Sequence, residues 1–162
     1  MTSTKKRARP RSTLVYVEDR GAVYDAPIDV VWDFFLRDEE FHSKAHRVVV
    51  RNFHAKRLSK LTTLISFERR QGRSWVKLSC RMTTIPPAIR VQEDLDGPYA
   101  GSIKLFLYAP RGRRTVVDVL AYMRSDKFTP KQIKTNMLRD FARAYRDDLP
   151  WFRKYVRSVK GK

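Results

Sequence analysis

The sequence predicts an α+β fold in which a curved antiparallel sheet of seven strands grips one long C-terminal helix. Apolar residues recur every three to four positions between residues 129 and 159, which is the period of a helix with one buried face. Most of the preceding chain consists of short segments in which apolar and polar residues alternate, as they do in strands. The turns between these segments are short, and short turns join antiparallel strands.

The chain is strongly basic, with 35 lysines and arginines against 17 aspartates and glutamates and a net charge of +18. Such an excess favours polyanionic partners, such as nucleic acid or an anionic membrane surface, although a basic surface that contacts only solvent is an alternative. The sequence has no short signature of a common nucleic-acid-binding module. Residues 1–12 are rich in lysine and arginine and are predicted to form a disordered tail before a single domain at residues 13–159.

Composition also predicts the compartment. No apolar run approaches the roughly 18 residues of a membrane-spanning helix. The single cysteine, Cys80, excludes an internal disulfide and indicates a reducing environment, so we expect a cytoplasmic protein. On its apolar strand face, Cys80 is expected to be an inert core thiol.

The first elements are predicted to be one strand and two short helices. The strand covers residues 14–24, and Gly21 within it is expected to form a β-bulge. Pro27 opens the first short helix, and Asp38 is placed to cap the second. The apolar face of the first helix consists of Ile28, Val31, Trp32 and Phe35.

Six more strands and the long helix follow. The strands are predicted at residues 48–54, 61–69, 75–83, 88–95, 99–109 and 115–123. In the last strand, the residues expected to face the core are Thr115, Val117, Val119, Ala121 and Met123. The helix begins with Thr129 as N-cap and Pro130 as its first residue. Pro150 lacks an amide hydrogen and is expected to kink or break this helix, with Asp147 or Asp148 capping a second segment.

Three sequence features together point to a known fold family. Residues 26–32 read APIDVVW and are followed by Phe34, Phe35 and Asp38. Residues 97–103 read GPYAGSI, residues 115–119 read TVVDV, and a long amphipathic helix closes the chain. In this combination, over about residues 13–158, the chain resembles the START and pollen-allergen superfamily, also called SRPBCC, to which polyketide cyclases belong. The resemblance implies a helix-grip fold, with a strongly bent seven-stranded sheet wrapped around the long helix.

The resemblance also implies a cavity between the sheet and the helix. Members of the superfamily bind lipids, sterols, polyketides and other apolar molecules there, and some are cyclases, hydrolases or dehydratases. The predicted function is therefore the binding or transport of a hydrophobic, lipid-like small molecule, with no cofactor. Two alternatives are a polyketide cyclase- or aromatase-like enzyme and a nucleic-acid-associated basic protein.

The predicted ligand-binding residues lie on strand and helix faces that are expected to point inward. Each of them could instead belong to a filled core. They are Val76, Leu78, Cys80, Met82, Ile103, Leu105, Leu107, Val117, Val119, Met137, Phe141 and Tyr145.

A second predicted site is basic. Hairpin connections alternate between the two ends of a meander, so residues 54–60 and 110–114 are expected at the same end of the sheet. The predicted anion-binding residues at this end are Lys56, Arg57, Lys60, Arg111, Arg113 and Arg114. In relatives the cavity opens at the other end, so anion docking would be separate from ligand uptake.

The sequence does not indicate a catalytic or metal site. His42 and His46 have the spacing of metal ligands on a helix, but no third ligand is evident. Acid–base catalysis would need an ionisable side chain inside the cavity. The residues of suitable type are His46, Tyr99, Asp118 and Tyr145, and no informative spacing pairs them.

Overall fold

The computed structural model describes residues 13–37, 41 and 43–160. Seven strands occur in this part of the chain: β1 (Thr13–Tyr24), β2 (Val50–Arg57), β3 (Thr62–Gln71), β4 (Ser74–Ile85), β5 (Ile89–Asp94), β6 (Ile103–Arg111) and β7 (Arg114–Ser125). The helices are α1 (Ile28–Leu36), the single turn α2 (Ser43–Ala45) and α3 (Pro130–Lys160), and a 3₁₀ turn spans Gly97–Tyr99. None of these described helices is long and apolar enough to cross a membrane. The predicted basic tail and Asp38 lie outside the described residues.

The seven strands form one antiparallel sheet in the order β1-β7-β6-β5-β4-β3-β2, which confirms the predicted meander. The register of β1 against β7 shifts between Asp19 and Ala22, so the predicted bulge at Gly21 is also confirmed. Gly21 has a φ of +82°, a conformation that glycine adopts without steric cost. Its amide donates a hydrogen bond to Oδ1 of Asp118 at 2.8 Å, which holds the bulge against β7.

Helix α3 is continuous through Pro150, so the predicted break is wrong. Pro150 cannot donate a hydrogen bond to the preceding turn. The residues that follow it are nevertheless held in helical geometry because Phe152 and Tyr155 are buried among the aromatic side chains of α1 and β1. At the other end of α3, the hydroxyl of Thr129 accepts a hydrogen bond from the amide of Gln132 at 3.3 Å, as predicted for the N-cap.

The main core lies where α3 crosses the β1 side of the sheet. Near the C-terminal end of α3, the ring of Phe152 lies 5.0 Å from that of Tyr24 and 5.3 Å from that of Phe34. Near its N-terminal end, Ile133 packs with Met123 of β7. A third and distinct apolar cluster lies on β3 and β4 and consists of Ile65, Cys80 and Met82. Helix α3 contacts β1 far more extensively than β3 or β4, which leaves space between the helix and this part of the sheet.

The two faces of the sheet follow the prediction in β7 but not in β6. In β7 the residues predicted to face the core are all buried: Thr115, Val117, Val119, Ala121 and Met123. In β6 the inward face is formed by Lys104, Phe106 and Tyr108, whereas the aliphatic residues lie on the convex face: Ile103, Leu105 and Leu107. Both alternating sets of residues in β6 are largely apolar, and the aliphatic set was predicted to face inward. The lysine-containing phase faces inward because Nζ of Lys104 pairs with Oδ2 of Asp94 at 2.6 Å.

Candidate functional site

A cavity of about 670 Å³ lies between the concave face of the sheet and α3. It exists because α3 packs on the β1 side of the sheet and stands away from β3 and β4. The volume falls in the range of typical ligand pockets, roughly 300–1,000 Å³. Its apolar wall is formed by Phe53, Ile65, Phe67, Leu78, Cys80, Met82, Phe106, Tyr108, Met137 and Phe141.

The structure brings together part of the predicted lining. The predicted residues that line the cavity are Leu78, Cys80, Met82, Met137 and Phe141. The predicted residues that lie outside it are Val76, Ile103, Leu105, Leu107, Val117, Val119 and Tyr145. Val117 and Val119 are buried beside β1, as packed core residues are. The hydroxyl of Tyr145 donates a hydrogen bond to the carbonyl oxygen of Val23 at 2.7 Å and therefore anchors α3 to β1.

A buried ion pair between the segment after α2 and helix α3 lines the cavity. Nε2 of His46 lies 3.1 Å from Oδ1 of Asp148, and each residue is only 5% exposed. Nδ1 of His46 lies 3.7 Å from Oδ2 of Asp147. Burial by itself lowers the pKa of His46, but the hydrogen bond and charge of Asp148, followed by those of Asp147, raise this pKa above its ordinary value. Both aspartates lie inside α3 and face α2, so the predicted role as a helix cap is wrong.

A row of polar side chains from β5 crosses the otherwise apolar wall. Arg90, Gln92 and Asp94 all line the cavity, and Arg90 is 5% exposed. The guanidinium carbon of Arg90 lies 6.0 Å from the centre of the Phe35 ring, close enough for a cation–π interaction. Nε2 of Gln92 donates a hydrogen bond to Oδ1 of Asp94 at 2.7 Å. A molecule in the cavity would therefore contact both apolar side chains and this polar row.

Sequence reasoning missed these polar groups. In the strand at residues 88–95, Ile89 and Val91 form one phase and Arg90, Gln92 and Asp94 the other, and no residue of this strand was predicted to line the cavity. The polar phase points inward because the cavity, unlike a packed core, can hold polar side chains that pair with one another. Asp94 of β5 pairs with Lys104 of the neighbouring strand β6, and no local sequence pattern indicates this pairing.

The cavity opens to solvent between the β3–β4 hairpin and the middle of α3. Exposed residues along this opening are Arg70, Gln71 and Gly72 of the hairpin and Arg139 of the helix. The inner end, by contrast, holds buried residues such as Tyr108.

The predicted anion-binding residues Lys56, Arg57, Lys60, Arg111, Arg113 and Arg114 are all exposed. They lie on the β2–β3 and β6–β7 hairpins, which the antiparallel order places at the end of the sheet opposite the cavity opening. Strands β4 and β5 lie between the two hairpins, so the nearest strands of the hairpins, β3 and β6, are about 14 Å apart in the plane of the sheet. Nε of Arg114 pairs with Oδ1 of Asp25 at 3.1 Å. Anion binding at these hairpins stays a prediction.

Among the residues that the structure describes, no group of three histidine, cysteine, aspartate or glutamate side chains is placed to hold a metal ion. His42 lies outside the described residues. Of the residues considered for acid–base chemistry, His46 lines the cavity. Asp118 binds the Gly21 amide on the bulge, and Tyr99 also lines the cavity at the 3₁₀ turn.

No protein-family model and no curated protein matches the sequence at a significant level. Solved structures do match. The Zhui aromatase/cyclase from Streptomyces sp. R1128 has a TM-score of 0.69 at 14% identity, over 91% of this chain and 96% of that chain. Ara h 8.0201 has a TM-score of 0.68 at 5% identity, over 88% and 99% of the two chains.

A third match is norcoclaurine synthase from Thalictrum flavum in complex with dopamine and hydroxybenzaldehyde. Its TM-score is 0.60 at 10% identity, over 90% of this chain and 93% of that chain. The three proteins all belong to the helix-grip, or SRPBCC, fold group.

The chain has the helix-grip fold. The resemblance found in the sequence is therefore confirmed at the level of the fold. Neighbours of this chain in that fold group include an aromatase/cyclase and a norcoclaurine synthase. At identities of 5 to 14%, the likeness extends to the architecture and not to a particular ligand or reaction.

Proposed function

We propose that this helix-grip protein binds a hydrophobic small molecule in the cavity between α3 and the sheet. The observation that carries the proposal is the cavity itself, with a volume of about 670 Å³ and a wall built largely from apolar side chains. Burying apolar ligand surface there would contribute roughly 25 cal/mol per Å² before the entropic cost of binding is subtracted. The polar row on β5 favours a ligand with an apolar body and at least one polar group, such as a lipid-like molecule.

The proposal can be tested with an uncharged apolar probe, N-phenyl-1-naphthylamine, whose fluorescence rises on transfer to an apolar site. Wild-type protein is expected to bind it saturably at one site per chain. Cys80→Trp places a bulky ring in the cavity wall and should weaken binding at least about tenfold, because a filled cavity excludes the ligand. Ile103→Trp is the matched control, since Ile103 is 41% exposed on the convex face, and should leave binding within about twofold.

Equal loss in both variants, or no saturable binding to the wild type, would contradict the proposal. Met137→Trp enters the same cavity from the helix side and replaces Cys80→Trp if that variant does not fold. Circular dichroism of each variant shows whether it is folded.

A second candidate function is catalysis of ring closure in a polyketone-like substrate. The ion pair of His46 with Asp148 and the guanidinium of Arg90 line the cavity and support this candidate. The raised pKa of His46 favours its imidazolium form. Nε2 faces Asp148, so Nδ1 is the nitrogen that would donate a proton to a substrate carbonyl oxygen. The positive charge of Arg90 would stabilise negative charge that develops on such an oxygen.

The enzyme candidate predicts that the protein converts a β-polyketone thioester to cyclised product, detected by mass spectrometry. His46→Gln should lower the rate by about a hundredfold or more, whereas Ile103→Ala should not change it. A wild-type rate equal to that in buffer would reject catalysis on this substrate class and leave ligand binding as the function.

A further inference from the structure

The opening of the cavity is lined by three arginine side chains that come from two separate elements. Arg69 lies at the end of β3, next to the β3–β4 hairpin, in the same inward phase as Ile65 and Phe67. Arg70 is in the opposite phase, and its Nε donates a hydrogen bond to the carbonyl oxygen of Gly72 at 3.3 Å. Arg139 and Arg143 lie on α3, one helical turn apart, so their side chains leave the helix on the same face. The fold therefore brings cations from opposite walls to one opening. The arginine group is defined as Arg69, Arg139 and Arg143.

Few carboxylates balance the arginine group. Asp140 and Asp96 also line the cavity at this end. Asp96 is held by Ser79, whose amide and hydroxyl donate to its carboxylate at 2.7 Å and 2.5 Å. Within residues 13–37, 41 and 43–160, neither Arg139 nor Arg143 forms an ion pair. The opening thus carries an excess of positive charge beside an apolar cavity.

One ion pair spans the opening. Nη2 of Arg69 lies 2.7 Å from Oδ2 of Asp140, with side-chain exposures of 31% and 18%. This pair connects β3 to α3 across the space where a ligand would enter. An anionic group at the opening would compete with Asp140 for the guanidinium of Arg69.

We propose that the arginine group holds the anionic head of an amphipathic ligand, of the phosphate monoester class, whose apolar part occupies the cavity. The inference rests on the proposed function and names the class of ligand. Phosphate monoesters carry close to two negative charges and three acceptor oxygens, so they can use several guanidinium groups at once. Arginine is the side chain best shaped for such multidentate contacts. The head remains near solvent at the opening, where its desolvation is small, while the tail contacts the apolar wall.

The direct test compares two ligands that differ only in the head. Oleoyl lysophosphatidic acid carries a phosphate monoester, and monooleoylglycerol has the same acyl chain without charge. Both are measured by displacement of N-phenyl-1-naphthylamine below their aggregation concentrations. Wild-type protein should bind the phosphate-bearing lipid at least about tenfold more tightly, as expected for charge-assisted hydrogen bonds to arginine.

Two variants with the same change in net charge separate the arginine group from general attraction. Arg139→Gln with Arg143→Gln should weaken binding of lysophosphatidic acid about tenfold and leave monooleoylglycerol within twofold. Arg153→Gln with Arg157→Gln, two exposed arginines that are also one helical turn apart on α3 but do not line the cavity, should change neither by more than about twofold.

Asp140→Asn supplies an independent test, because the proposal predicts tighter rather than weaker binding. Removing the competing carboxylate frees Arg69 and should tighten binding of lysophosphatidic acid by roughly threefold or more, with no gain for monooleoylglycerol. If the ion pair serves only to hold the cavity together, both ligands would bind more weakly to this variant, and that result would overturn the proposal.

The remaining outcomes are equally decisive. Equal binding of the two lipids by wild type would reject the arginine group as a head site and leave the proposed function intact. Binding of neither lipid nor the probe would reject the proposed function as well. Glycerol 3-phosphate that binds as tightly as lysophosphatidic acid would show a free-phosphate site that does not use the cavity, and would also contradict the proposal.

Discussion

Replacing Asp148 with asparagine should destabilise the protein far more at acidic than at alkaline pH. Asp148 and His46 are each 5% exposed and lie 3.1 Å apart, so their charges are poorly screened by solvent. Because the folded-state pKa of His46 is raised, its pairing with Asp148 stabilises the fold fully below the unfolded pKa of about 6.5 and loses this contribution as pH rises through the folded pKa. Asp148→Asn leaves the buried imidazolium without its main partner at low pH.

The expected cost of Asp148→Asn is about 3 kcal/mol at pH 6, the lower end for breaking a buried ion pair, because Asp147 still lies 3.7 Å from the imidazole. As pH rises through the raised folded-state pKa of His46, the imidazolium is lost, and the cost should fall toward about 1 kcal/mol, the value of one hydrogen bond. Asp147→Asn is the matched control; the Asp147 side chain is 29% exposed, and its loss should cost less than about 1 kcal/mol at either pH.

Urea unfolding of the wild type and both variants at pH 6 and pH 9 measures these free energies, and proton NMR follows the pKa of His46. Asp148→Asn should lower that pKa because burial, which opposes the charged form, remains. A cost that is the same at both pH values, or a His46 pKa that does not fall, would refute the reasoning.

Three further changes test other parts of the structure. Tyr155→Phe removes the hydrogen bond that chiefly lowers the pKa of Asp33, and it should cost about 1 kcal/mol in urea unfolding at pH 7. This cost should be lost as pH falls through the pKa of Asp33, and an equal cost at pH 3 would contradict the reasoning. Gly97→Ala would make its Cβ clash with Cδ2 of Leu78 at a φ of +77°, so it should cost about 2 kcal/mol and push Leu78 into the cavity. Weaker probe binding is the check. The triple variant Arg111→Glu, Arg113→Glu and Arg114→Glu reverses the charges of the β6–β7 hairpin and should weaken binding to anionic vesicles in sedimentation assays. Unchanged binding would remove the predicted anion site there.

The sequence predicts well those features that depend on local pattern. The long period of α3, the bulge at Gly21 and the alternation of β7 each follow from residues close together in the chain, and each is confirmed. The cavity follows from fold resemblance rather than from pattern. No short window shows where a helix will stand away from a sheet.

The errors share a physical origin in tertiary contacts. Helix α3 passes through Pro150 because aromatic packing by Phe152 and others outweighs one missing hydrogen bond. Strand β6 turns its lysine inward because Asp94 of β5 neutralises it. Arg90 sits on the inward face of β5 because the cavity accepts polar groups that a packed core would exclude. Each of these partners is distant in sequence or on another strand.

Native mass spectrometry of the wild type beside Cys80→Trp, with and without N-phenyl-1-naphthylamine, tests the central claim most directly. The account predicts a one-to-one adduct in the wild type, or a co-purified apolar molecule that the probe displaces, and loss of both in Cys80→Trp. An adduct that is absent from the wild type, or equally abundant in the two proteins, would contradict the claim that the cavity between α3 and the sheet binds a hydrophobic molecule.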